Sequence, residues 1–246
     1  MTGDADLSRI AELIGNRARS RMLMALVAGR ELSASLLARE AGISPSTASE
    51  HLHRLVEGGL LVVRTQGRYR HYGIADARIA DLLERMVELS PAEPITSLRS
   101  STRAAQLRRA RTCYDHVAGR LGVGIMSSLI EHGHLVGGDG NHDSAVAEHD
   151  RPAGPGRDVD YQLTDSGLEF LGGVGIRLTG SDRPLVRYCV DWTETRHHLA
   201  GRLGRGIRDR FLEAGWIRRH DVHRALAVTG AGAEVLDREF DLVLQD

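Results

Sequence analysis

The 246-residue chain contains no lysine; all 32 of its basic residues are arginine. No single site imposes that bias on a whole chain, so we read it as the imprint of a GC-rich bacterial coding sequence. Its chemical consequence is that every cationic contact with an anion must use the planar guanidinium fork. Cysteine is nearly absent too, with two in the chain. That excludes a disulfide framework and points to a reducing cytoplasm. No apolar run approaches the roughly 18 residues of a membrane helix. The opening segment MTGDADLSRIAEL is acidic and amphipathic, unlike a secretory signal. Enzyme signatures are missing as well: there is no G-x-S-x-G, no phosphate-binding G-x-x-x-x-G-K-[ST] and no H-E-x-x-H. A non-enzymatic protein is therefore expected. The net charge of −1 excludes a general polyanion-coating protein but not a local basic face.

The first ninety residues are periodic. Leu7, Ile10, Ala11 and Ile14 form a helical stripe, and Met22, Leu23, Leu26 and Val27 form a second that ends at Gly29. Ser33 is placed to cap a third helix carrying Leu36, Leu37 and Ala41, which Gly42 breaks. Ser44 caps a fourth, with Pro45 at its first position, running to Gly58-Gly59. The period then changes to that of strands over 60–64 and 69–74, joined through Thr65, Gln66, Gly67 and Arg68. Asp76 opens a last helix with Ile79, Leu82, Leu83, Met86 and Val87 on one face.

The stretch SLLAREAGISPSTASEHLHRL reads as two short helices around a tight turn, the second with a small polar leading edge. Ser44, Ser46, Thr47 and Ser49 suit entry into a major groove, with His51 and Arg54 further along the helix. Gln66, Gly67, Arg68 and Arg70 belong to the hairpin, whose tip arginine suits a minor groove or a phosphate. A helical bundle with a solvated Ser/Thr helix is the alternative, but helix, wing and arginine positions agree with each other.

The S-x-S-T-x-S-x-H-L-x-x-L run, followed by G-L and a G-R-x-x-x-Y wing, resembles the winged helix-turn-helix of the ArsR family of bacterial transcription regulators, over about residues 6–90. The resemblance implies a homodimer built from the first and last helices of this region. It also implies a recognition helix at 45–57 on a palindromic double-stranded DNA operator, and repression altered by an effector. Metal-sensing members often carry a Cys-x-Cys-type site before the recognition helix, or an Asp/His set on the last helix. SLLAREA has no Cys and ADARIADLLERMVEL no His, so a sensor must lie in the remaining 150 residues or so.

The expected fold class is mainly α with small β-hairpin wings, an α+β chain. Residues 1–90 form the winged helix-turn-helix and 91–103, with Pro91 and Pro94, a linker. Residues 104–246 form an effector or dimerisation domain of two repeats, about 104–180 and 181–246. The repeats share R-x-C-x-D, then H-[VL]-A-G-R-L-G, then an apolar helix ending in E-x-G; six extra residues split the motif in the second copy. Downstream, Thr164 and Thr229 are placed as helix caps. Each copy reads as helix, helix, hairpin, helix, again winged-helix-like.

Cys113 and His116, at i and i+3, share a helical face; Cys189 and His198 need a bend between them. Two thiols and two imidazoles suit a tetrahedral zinc-type site or a softer metal. Asp115 and Asp191 are candidate ligands or supporting groups, and His197 a competing ligand. Trp192, like Tyr114, supplies an aromatic wall that suits an organic effector. The readings left open are a metal or thiol sensor, a small-molecule pocket, plain scaffold, and a DNA-tethered enzyme. Segment 131–150, with His132, His134, His142 and His149 among five acids, reads as an extended solvated wing, with a weak metal site as its alternative.

Overall fold

The computed structural model describes residues 6–27, 29–66, 69–90, 98–152, 154–180, 183–221 and 223–244. The chain divides into two compact units, Met1–Leu83 with Asp221–His223, and Glu84–His220 with Arg224–Asp246. Among the described residues no helix is long and apolar enough to cross a membrane.

The first unit follows the order α1 (Leu7–Ile14), α2 (Arg17–Leu26), β1 (Leu32–Ser33), α3 (Ala34–Ala41), α4 (Pro45–Glu57), β2 (Leu61–Gln66) and β3 (Tyr69–Ile74). It ends in α5 (Ala77–Glu88), which runs on past Leu83. Each helix begins at a side chain that satisfies an orphan amide. The Asn16 side chain accepts from Ala18 N and Arg19 N, Ser33 from Leu36 N and Ser44 from Thr47 N. Gly42, at φ 72°, ends α3 in the left-handed region that favours glycine, and so turns the chain sharply into α4. Met22, Leu23, Leu26, Leu37, Leu52 and Leu55 close the core between α2, α3 and α4. The wing is a three-stranded sheet in the order β1-β3-β2, with Leu61 opposite Ile74 and Leu32 opposite Tyr72. Strand β1 was not expected, since two residues show no period.

The second unit opens with α6 (Leu98–Arg109), β4 (Arg111–Cys113), β5 (His116–Ala118) and α7 (Gly119–Glu131). It continues through β6 (Leu135–Val136), β7 (Gln162–Leu163), α8 (Asp165–Val174), β8 (Arg187–Val190), β9 (His197–Ala200) and α9 (Gly201–Glu213). Strands β10 (Ile217–Arg219) and β11 (Leu226–Val228) and helix α10 (Gly230–Phe240) complete it. Residues 98–103, expected as linker, are helical; residues 91–97 lie outside the described ones. Thr164 and Thr229 cap α8 and α10, accepting from Gly167 N and Gly232 N.

Each repeat is thus hairpin, helix, two-stranded wing, helix, and the R-x-C-x-D segment is a strand where a helix was expected. The physical cause is at the two ends of each hairpin. Tyr114 and Thr195 turn the chain at φ 47° and 53°, and Gly119 and Gly201 enter the following helices at φ 75° and 70°. A continuous helix has no room for either conformation.

The shared G-R-L-G motif has a packing reason. Helix α7 lies on β9 and α9 on β5, each helix on the other copy's hairpin. A Cβ on Gly122 would stand 2.3 Å from Val117 O and 3.4 Å from the Cβ of His198; on Gly204, 2.4 Å from Leu199 O and 3.0 Å from the Cβ of His116. Gly204→Ala is therefore expected to cost about 1–3 kcal/mol through overpacking. Gly172→Ala, in the last turn of α8 with nothing within 4 Å of the new methyl, should be neutral or stabilising. Urea unfolding of the two variants side by side checks this. Around these contacts Leu121, Ile125, Leu129, Leu203, Ile207, Phe211 and Phe240 make one continuous core.

Candidate DNA interface and candidate metal centre

In the first unit α4 divides cleanly. Ala48, Leu52 and Leu55 are buried, whereas Ser44, Ser46, Thr47, Ser49 and Arg54 are exposed. The exposed hydroxyls are organised among themselves. Ser44 Oγ lies 2.9 Å from both Ser46 Oγ and Thr47 Oγ1, and Ser49 Oγ donates to Pro45 O at 3.0 Å. Arg54 donates to Glu50 Oε1 at 3.0 Å along the helix, a pair that a phosphate would compete for. His51 is half-buried, its Nδ1 3.4 Å from Arg19, whose guanidinium also donates to Leu13 O at 2.7 Å and Glu12 O at 2.6 Å. Arg19 thereby caps the end of α1 and props the middle of α4. On the wing Arg70 is exposed opposite Thr65. Gly67 and Arg68 lie outside the described residues, as does the side chain of Gln66.

In the second unit the two hairpins bring the repeated residues together. Cys113 faces His116 across β4-β5, and Cys189 faces His198 across β8-β9. Residues directly opposite in an antiparallel pair share a face, so each hairpin presents one thiol and one imidazole on the same side. The six extra residues of the second copy form a longer loop after β8. They cause no bend in a helix. One thiol or imidazole atom from each of Cys113, His116, Cys189 and His198 lies within 4.8 Å of the other three. The His116 and His198 rings are 5.1 Å apart. His116, Cys189 and His198 are buried, and Cys113 is half-buried. The Cys113 thiol is held well below its ordinary range, first by its hydrogen bond with Cys189 and then, against burial, by the His116 and His198 imidazoles.

The two aspartates orient the imidazoles. Asp115 Oδ1 is 3.4 Å from His116 Nδ1, and Asp191 Oδ2 is 3.2 Å from His198 Nδ1. In both copies a carboxylate oxygen lies near Nδ1, and both ring nitrogens of His198 are buried with no hydrogen-bond partner among the described residues. The copies differ in their arginines. Arg111, fully buried, donates to Asp191 Oδ1 at 2.8 Å, to Leu107 O at 3.0 Å and to Thr193 Oγ1 at 3.2 Å. Its counterpart Arg187 is exposed, and Arg183 pairs with Asp115 instead. Burial works against the Asp191 carboxylate, yet His198 and Arg111 hold it far below the ordinary carboxylate range. The Arg111 guanidinium sits 4.7 Å from the Trp192 ring centre, as Arg183 sits 5.2 Å from that of Tyr114.

His197 does not compete for the cysteine site. Successive residues of a strand point to opposite faces, and His197 turns away from His198 toward Tyr161, Tyr188, His142 and Asp150. The sequence offered a weak metal site somewhere in segment 131–150 and made His197 a rival ligand for the cysteine site, but it did not join His142 and Asp150 to His197. Segment 131–150 is no simple solvated wing: Asp150 is 2% exposed and pinned beneath β8.

A helix-turn-helix domain model matches residues 14–64. A curated relative, the uncharacterized HTH-type transcriptional regulator YdfF of Bacillus subtilis (strain 168), is 33% identical over 240 residues, covering 96% of this chain and 98% of its own. Among solved structures, the transcriptional repressor BigR from Xylella fastidiosa aligns at 23% identity over 35% of this chain and 88% of its own, with a TM-score of 0.33. The cadmium metal-sensor CMTR from Mycobacterium tuberculosis aligns at 29% identity over 38% of this chain and all 100% of its own, with a TM-score of 0.31. That relative aligns across almost the whole of both chains, and with it this chain belongs to the family of HTH-type transcriptional regulators.

Proposed function

We propose that the protein is a homodimeric repressor of a palindromic DNA operator, acting in the cytoplasm, whose affinity for that operator is set by a metal ion held between Cys113, His116, Cys189 and His198. The observation that carries this reading is the convergence of four ligand atoms from two copied hairpins within 4.8 Å. Two thiolates and two imidazoles are a zinc-type donor set. A tetrahedral zinc ion needs its ligand atoms about 3.3–3.8 Å apart, a difference that small side-chain rotations close. The aspartates on Nδ1 match the carboxylate–histidine–metal arrangement that fixes ring orientation and raises ligand basicity. Buried His198 ring nitrogens without a hydrogen-bond partner among the described residues support a role beyond packing.

DNA binding on this reading places the exposed hydroxyl edge of α4 in the major groove and Arg70 on the flanking backbone. Leu7 on α1 and Leu82 and Met86 on α5 are exposed apolar residues, which supports pairing of two copies through these helices. The experiment is a duplex-binding titration across salt concentrations, with zinc present and after chelation. Arg70→Ala should weaken binding evenly across sequences and lower the log–log salt slope by about one. Ser46→Ala and Thr47→Val should reorder preference among operator variants instead. Cys113→Ser/Cys189→Ser should bind identically with and without zinc. Equal zinc sensitivity in that variant and the parent would overturn the sensor reading while leaving DNA binding intact.

A further inference from the structure

His142, Asp150 and His197 form a second convergent set, separate from the cysteines, with one ligand atom from each within 4.8 Å of the other two. His197 Nε2 is 3.8 Å from Asp150 Oδ2, and both residues are 2% exposed. The Nε2 atoms of His142 and His197 are buried with no hydrogen-bond partner among the described residues. Two buried imidazole nitrogens facing a buried carboxylate across more than hydrogen-bond distance leave polar capacity that a native interior rarely wastes.

The surroundings hold these groups in place. Asp150 Oδ1 accepts from Arg157 N at 2.6 Å and Asp158 N at 3.2 Å, and Oδ2 accepts from the Tyr188 hydroxyl at 2.6 Å. That hydroxyl in turn accepts from Val159 N at 2.9 Å. His197 Nδ1 is 2.8 Å from Tyr161 Oη, which also accepts from Gly140 N at 3.1 Å. With Nδ1–H donating to Tyr161, the Nε2 lone pair points at Asp150 and His142. An oriented imidazole supported by a phenol and a carboxylate supported by three donors are what a ligand shell requires.

We infer that His142, Asp150 and His197 bind a divalent first-row transition metal ion through two imidazole nitrogens and one carboxylate oxygen, in a site distinct from the cysteine centre. Three protein ligands leave coordination positions open, and nitrogen and oxygen donors without thiolate favour Zn2+, Fe2+ or Co2+ over Cu+. The two sites sit back to back on β9, His198 on one face and His197 on the other.

Because the sites differ in sulfur, Co2+ separates them. Titrated into the full-length reduced protein, cobalt should fill two equivalents per chain. One should carry the intense near-ultraviolet thiolate-to-cobalt band and one only weak visible bands. His142→Ala and the isosteric Asp150→Asn should each remove the second equivalent and keep the thiolate band, which also reports that the unit is folded. Tyr161→Phe should weaken the second equivalent about 10–100-fold. In Cys113→Ser/Cys189→Ser the thiolate band should vanish while the second equivalent stays, so failure of the cysteine centre is distinguishable from failure of this one. Binding without a sulfur-free equivalent in the parent protein, or its undiminished retention in both His142→Ala and Asp150→Asn, would overturn the inference and leave a hydrogen-bonded water network in its place.

Discussion

Asp191→Ala is expected to lower the stability of the second unit by about 3–5 kcal/mol, the usual cost of removing one partner of a buried ion pair. For a unit of this size that shifts the thermal midpoint by about 10 °C. The size of the effect follows from what Asp191 satisfies. Its Oδ1 takes the Arg111 guanidinium, Thr193 N at 2.9 Å and Thr193 Oγ1 at 2.7 Å, and its Oδ2 takes Gly119 N at 2.7 Å. Truncation therefore strands a fully buried arginine, unties the loop between β8 and β9, and leaves the first amide of α7 without an acceptor. Asp115→Ala serves as the internal control. It occupies the same position in the other copy, but its partner Arg183 is more than a third exposed, so solvent takes over much of the loss. A smaller cost for Asp191→Ala than for Asp115→Ala in chemical denaturation would contradict the asymmetry described above.

Saturating zinc should stabilise the protein by about 2.7 kcal/mol at a hundred times the dissociation constant and about 4.1 kcal/mol at a thousand times, provided the unfolded chain binds weakly. On the proposed reading an ion at the cysteine centre would tie four strands from two distant stretches of chain, and its binding energy would become folding energy. Chelation should reverse the gain. Calorimetric scans of Cys113→Ser/Cys189→Ser should lose the part of the zinc response that belongs to this centre. An undiminished response in that variant would show that the thiols take no part in the linkage.

Much of the first unit was readable in the residues because its signals are local. Asn16, Ser33 and Ser44 are caps, Pro45 fits the first helical position, and the change from period 3.6 to period 2 after Gly59 marks the wing. In the second unit the local structure differs from the expectation, the R-x-C-x-D segments being strands rather than helices. Strands of three or four residues carry too few positions to show a period, and the Tyr114 and Thr195 turns rest on left-handed conformations that neither residue type signals. The four residues of the cysteine set could be singled out because copying repeated them. His142 and Asp150 were reached only as members of a segment with a weak metal site as its alternative reading, since they lie in an insertion with no counterpart in the other copy, and Gly- and Asp-rich spacing looks the same in a solvated loop as in one folded around a buried carboxylate. The clue that was present is the pair of consecutive histidines at 197 and 198, where only one has an equivalent in the first copy.

The crossed seating of α7 on β9 and α9 on β5 bears on how such a chain came about. Each motif helix packs on its own hairpin and, on a second side, on its twin's. A half made alone would leave that second side bare, a surface that another molecule of itself would fit. The insertion carrying Asp150 has no counterpart in the other half and breaks the internal symmetry.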